Sequence, residues 1–169
     1  MARSTRRKYY KRKGRWCANI KNIADTATLA SGPNGNSVDL CLNPLQSDIT
    51  VSQIYTVKNI ELSVFFETTG TSLVQEIEDI EHYIMYVPQG MNLTTQYNLE
   101  HPEYILAYKY QGNPWSDTTT AQFNLKIKSR LARRLNTGDR IIYFWKCNAA
   151  TSNTNITVRG LVRWWTKAN

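Results

Sequence analysis

The sequence predicts an all-β fold, a single eight-stranded sandwich of the jelly-roll kind, preceded by a disordered basic arm. Three observations lead there. Apolar and polar residues alternate in run after run, in segments rich in Val, Ile, Tyr, Phe and Trp. Clusters of Gly, Pro and Asn separate those runs. The net charge of +8 is held entirely by the first sixteen residues.

The elements follow in chain order. Residues 17–29 form a weakly marked first strand. Residues 31–48, with Gly32-Pro33-Asn34-Gly35, read as a long loop. Residues 55–69 are the clearest strand, ended by Gly70. Its pattern puts Val57, Asn59, Glu61, Ser63 and Phe65 on one face. The apolar run Ile60, Leu62, Val64 and Phe66 calls for a bulge or burial on both faces. Residues 73–80 (LVQEIEDI) suit a short helix. Residues 82–87 make the next strand, stopped by Pro88-Gln89-Gly90. A helical turn falls near residues 99–103, and residues 104–110 form another strand. Residues 123–129 (FNLKIKS) alternate cleanly, and residues 130–135 continue as a short strand. Asn136-Thr137-Gly138-Asp139 has hairpin-turn composition, so residues 140–147 are expected to pair back on it. Residues 155–166 close the chain. Seven or eight short strands joined by turns suit several Greek-key sandwiches, and a jelly roll is the one with two sheets and long end loops. Residues 67–81 and 92–121 are the candidate end loops.

Length and composition narrow the classes. The chain has 169 residues, enough for one domain plus an arm. The division is residues 1–16, the arm, and residues 17–169, the body. No apolar run reaches the length of a membrane span, so no membrane insertion is expected. The amino-terminal residues are charged where a secretory signal needs an apolar stretch. Cys17, Cys41 and Cys147 are far apart and match neither a disulfide framework nor a zinc site; small buried residues in a reducing compartment are expected.

The search for chemistry is thin. His82 follows Glu81 in a strand, and His101 precedes Pro102. Neither has a nucleophile or carboxylate at triad spacing, and each reads as a structural or surface histidine. Glu76, Glu78, Asp79 and Glu81 form an acidic cluster without the ligand order of a calcium loop. It reads as a solvated loop, with a divalent cation at a subunit contact or the cations of a neighbour as the alternatives. Trp115, Trp145, Trp164 and Trp165 suit core or interface packing better than a sugar platform. No enzymatic activity, cofactor or metal is expected.

The arm is informative. It carries Arg3, Arg6, Arg7, Lys8, Lys11, Arg12, Lys13 and Arg15, with no acidic residue. Of the 21 Lys and Arg, 13 remain for the body, which also holds all 13 Asp and Glu and is formally neutral. Cations neutralise phosphates and release counterions. Tyr9, Tyr10 and Trp16 interrupt them, and aromatic rings stack on unpaired bases without caring which base. The arm therefore suits single-stranded nucleic acid, and its basic runs also suit a nuclear import receptor. A second cationic set lies in the body: Lys126 and Lys128 share a strand face, and Arg130 joins them if the strand stays regular. Same-face neighbours stand about 6.6 Å apart, comparable to phosphate spacing along an extended strand. An ordinary solvated face is the alternative. Arg133, Arg134, Arg159 and Arg163 suit subunit salt bridges equally well.

The order of features resembles the capsid proteins of circoviruses and related viruses with small circular single-stranded DNA genomes. The basic arm at residues 3–16 comes first. A long early strand, Tyr-x-Val-Lys-x-Ile-x-Leu-x-Val-Phe-Phe, follows at residues 55–66. Late in the chain come Arg-Leu-Ala-Arg-Arg-Leu-Asn-Thr-Gly-Asp at 130–139, Ile141 to Trp145, and a last strand with Arg159 and Arg163. The arm and the whole chain are shorter than is common in circoviruses themselves, which points to a related lineage. The resemblance implies a single jelly roll, sixty of which close a T=1 icosahedral shell, with the arm turned inward onto a single-stranded DNA genome. It also implies a virion protein that enters the host nucleus during assembly; it leaves the cell-surface receptor unknown. Two other readings remain: a monomeric nucleic-acid-binding accessory protein using the arm alone, and a carbohydrate-binding jelly-roll module.

Overall fold

The computed structural model describes residues 15–42, 54–70, 77–112, 120–149 and 154–168. Nine strands run through them: β1 (Cys17–Thr28), β2 (Gly32–Leu42), β3 (Tyr55–Gly70), β4 (Ile77–Val87), β5 (Ile105–Gly112), β6 (Thr120–Ser129), β7 (Arg133–Leu135), β8 (Arg140–Ala149) and β9 (Thr154–Ala168). A short helix, α1 (Tyr97–Glu100), and a 3-10 turn (Pro102–Tyr104) lie between β4 and β5, close to the helical turn expected there.

Two antiparallel sheets result. One has the order β1-β9-β3-β6, with β7 attached to β3; the other has the order β2-β8-β4-β5. Every long-strand pairing is antiparallel. Eight long strands in this order form a jelly-roll sandwich. The alternation of each strand explains the packing. Leu62, Val64 and Phe66 of β3, Leu125 and Ile127 of β6, and Ile156, Val158 and Val162 of β9 turn inward. They meet Ile80 and Ile84 of β4 and Ile141, Tyr143 and Trp145 of β8. Phe66 lies edge-on to both His82 and Trp145, with ring centroids 5.8 and 5.5 Å apart. The open edges of the sandwich are tied. Asn36 donates to the Asp25 carboxylate and Lys21 to the Asp39 carbonyl, both at 2.7 Å, and Ser129 donates to the Leu106 carbonyl at 2.8 Å.

Several expectations are corrected. Residues 32–42 of the expected loop form β2, and residues 43–48 lie outside the described residues. Strand β2 is a sheet edge paired only with β8, where the absent N–H of Pro33 removes no ladder bond on a second side. Of the expected helix at 73–80, residues 77–80 belong to β4, because Ile80 is needed in the core. Likewise residues 67–70, 77–81 and 105–112 of the expected end loops are strand, since the ladders extend that far. Val57 does not share a face with Asn59 and Glu61. The pairing of β3 with β9 slips between Lys58 and Glu61, Asn59 has φ 51°, and the bulge turns both Val57 and Ile60 inward. Residues 136–139 form a turn but no hairpin. β7 pairs with β3 in one sheet and β8 with β2 and β4 in the other, so the turn carries the chain between layers.

The three cysteines are unpaired; Cys147 is buried, Cys41 half-buried and Cys17 exposed. The exposure of Cys17 differs from the expectation, because it is the first residue of the edge strand β1. Trp145 is a core residue, as expected, and Trp115 lies outside the described residues. His82 is buried and its Nδ1 lies 2.7 Å from the Tyr143 hydroxyl. Burial, with the Lys109 charge behind it, lowers its pKa to about 3, so the ring is neutral.

Candidate nucleic-acid interface

The two outer faces of the sandwich differ in charge, and register explains how. Residues directly opposite in an antiparallel pair point to the same side. With Ile156, Val158 and Val162 inward, Thr157, Arg159, Leu161, Arg163 and Trp165 point outward from β9. One row across this outer face runs Ile20–Arg163–Glu61–Lys128, the next Asn22–Leu161–Ser63–Lys126, and the next Ala24–Arg159–Phe65–Asn124. Lys58 stands opposite Trp165. Lys126, Lys128 and Arg130 are all exposed, so they share the face the alternation assigns them.

The face therefore gathers Lys58, Lys126, Lys128, Arg130, Arg159 and Arg163 against Glu61 and Glu67. Glu61 sits between two of them. Arg163 donates to its Oε2 at 2.5 Å, and Lys128 Nζ lies 3.6 Å from its Oε1. The Arg163 hydrogen bond, with support from the Lys128 charge, holds its carboxyl below the usual carboxylate range. Among the described ion pairs none involves Lys126, Arg130 or Arg159. Exposed Ile20 and Leu161 and half-buried Phe65 lie between the cations. A shallow groove of about 660 Å³ follows them, lined by Phe65, Asn124, Lys126, Arg159 and Leu161.

Trp16 lies on this same face. Trp16 continues the outward parity of Ala18 and Ile20, and the Lys58 ammonium stands 3.9 Å from its ring centroid. A cation over an indole at that distance is an attractive contact. Arg3, Arg6, Arg7, Lys8, Tyr9, Tyr10, Lys11, Arg12 and Lys13 lie outside the described residues; Arg15 is exposed beside Trp16.

The opposite outer face, on the β2-β8-β4-β5 sheet, is different. The segment between β4 and β5 covers it, packing Tyr97, Met91 and Leu93 over Tyr83, Met85, Val87, Ile142 and Phe144. Its uncovered part carries Asp79 and Glu81. Asp79 accepts from the Tyr110 hydroxyl at 2.8 Å, and Glu81 pairs with Lys146 at 2.9 Å and accepts from Tyr83 at 2.6 Å. Glu76 and the side chain of Glu78 lie outside the described residues. No three-residue metal group occurs among the described residues.

Lys58, Arg159, Arg163 and Trp165 were not legible as members of one surface with Lys126 and Lys128. Only the register between β9, β3 and β6 aligns them. The Arg133 guanidinium stacks 4.0 Å over the Tyr86 ring and lies 5.7 Å from that of Tyr104.

No protein-family model and no curated protein matches the chain. Several solved structures align with it over most of the chain at low identity. A Desmodium yellow mottle tymovirus chain aligns at TM-score 0.34 and 11% identity, over 90% of this chain and 89% of that one. A turnip yellow mosaic virus chain aligns at 0.37 and 12%, over 87% and 92%. The decameric BFDV capsid protein aligns at 0.37 and 10%, over 89% and 99%.

Proposed function

We propose that the chain is the coat subunit of a small single-stranded DNA virus, building an icosahedral shell and holding the genome with residues 1–16. One observation carries the reading. A formally neutral jelly roll bears a cationic face on which Lys126, Arg130 and Arg159 lie outside the described ion pairs, and Trp16, next to the eight cations of residues 3–15, packs on Lys58 of that same face. Neutral bodies pack side by side without repulsion, while the cations compensate a polyanion on one side. A sixty-subunit T=1 shell, entry into the host nucleus through the basic runs of the arm, and a virion location complete the proposal. It assigns no catalytic role and no cofactor.

Light scattering with simultaneous absorbance at two wavelengths tests it on full-length protein at near-physiological salt. A narrow particle of megadalton mass with excess nucleotide absorbance is the expected result. A monomer that binds nucleic acid without forming a particle at any salt or pH would transfer the assignment to an accessory binding protein.

A further inference from the structure

We propose that the bulge of β3 builds a discrete seat for one nucleotide of a bound single strand, at the base of the arm. The inference rests on the nucleic-acid reading above and deepens it. A cavity of about 260 Å³ opens on the cationic face, lined by Asn59, Glu61, Lys128, Ser129, Arg130 and Trp165. Its origin is local. β6 ends at Ser129 and β7 begins at Arg133, so β3 loses its partner between the two, where it also bulges. Asn59 takes a left-handed conformation at φ 51°, which Asn tolerates better than most residues. Bulges re-aim side chains and recur beside functional sites.

The lining has the groups a nucleotide needs. Trp165 offers an indole surface for a base. Arg163 stands 5.0 Å over that ring and is itself held by Glu61, which fixes the ring in place. Lys128 and Arg130 supply charge for a phosphate. The Asn59 amide can donate to and accept from a base edge, whichever base is present. Trp16 lies near the same end of the face, over Lys58, whose register partner is Trp165. A strand held by the arm thus passes directly to the seat. Stacking tolerates any base, so the seat grips without selecting sequence.

The test uses full-length protein and a single-stranded oligodeoxynucleotide carrying 5-iododeoxyuridine. Irradiation, trypsin digestion and mass spectrometry locate the adducts. An adduct on Trp165, within the peptide of residues 164–167, is expected alongside those in the arm. In binding titrations Trp165→Ala should lose about fivefold or more in affinity, while Trp165→Phe should retain most of it. Arg130→Ala, an exposed change away from the core, should lower the slope of log affinity against log salt by about 0.7. Adducts confined to residues 9, 10 and 16, or an unchanged slope and affinity in these variants, would overturn the seat and leave the arm reading intact. Failure of the full-length protein to retain the oligonucleotide at all would overturn both.

Discussion

The Tyr86 hydroxyl donates to the Asp139 carboxylate at 2.7 Å, and this contact fastens the turn that carries the chain from one sheet to the other. Asp139 is only 3% exposed. It also accepts from the Gln89 N–H at 3.0 Å and the Asn136 N–H at 2.8 Å. One carboxylate therefore closes its own turn, caps the end of β4 and joins the layers. Burial and the Asp139 contact push the Tyr86 hydroxyl up to about 12, so it remains a donor at any ordinary pH. Replacing Asp139 by Ala leaves three donors without their acceptor and should cost about 2–4 kcal/mol. Urea denaturation measures the loss, and Asp139→Asn should fall between the two.

Gly160 lies in the middle of β9, opposite Ile23 of β1 and Val64 of β3. A methyl group there would meet the Ser63 carbonyl oxygen at 2.5 Å, and that oxygen belongs to backbone that cannot swing away. Gly160→Ala should cost about 1–3 kcal/mol through forced separation of β9 from β3. Thermal unfolding gives the loss, and faster amide exchange along β3 would locate it. An unaltered melting temperature would show that the sheet accommodates the methyl.

His82 sets an acid limit on stability. Its folded pKa of about 3 lies below the ordinary 6.5, so between those values the unfolded chain binds the extra proton. Its contribution is therefore complete above pH 6.5 and is lost as pH falls toward 3, at up to about 1.4 kcal/mol per pH unit. Denaturation midpoints across that window should fall, and His82→Gln, which keeps a polar partner for Tyr143, should flatten the dependence. Equal slopes in both proteins would assign the acid sensitivity to other groups.

Removing residues 1–15 should abolish most nucleic-acid retention while the sandwich stays folded. The deletion keeps Trp16 and its contact with Lys58, and β1 begins after it. Filter binding at two salt concentrations and a thermal melt would check the two halves separately. Full, salt-sensitive binding by the truncated chain would place the polyanion site on the body's own cationic face.

Phe66 joins the layers through its contacts with His82 and Trp145 and is fully buried. Phe66→Ala should cost about 3–5 kcal/mol by chemical denaturation.

The alternation of residues 123–129 was enough to place Leu125 and Ile127 inside and Lys126 and Lys128 outside, because the strand period acts on each side chain in turn. The run Ile60, Leu62, Val64 and Phe66 called for a bulge or for burial on both faces, and only the slipped pairing with β9 decided for a bulge and turned Val57 inward as well. The concentration of charge in residues 1–16 is likewise a property of the chain alone, as is the all-β class. What the sequence could not specify is partnership. Residues 32–42 look like a loop because Gly and Pro disfavour a strand locally, yet pairing with β8 supplies the ladder that local preference lacks. The Asn136–Asp139 turn has hairpin composition, and only packing sends its two arms into different sheets. The cationic face has the same origin. Arg159 and Arg163 are about thirty residues from Lys126 and Lys128 in the chain and rows apart in no local pattern. They become neighbours because β3 lies between β9 and β6, and that order is decided by long-range burial of apolar faces, which no stretch of sequence contains by itself.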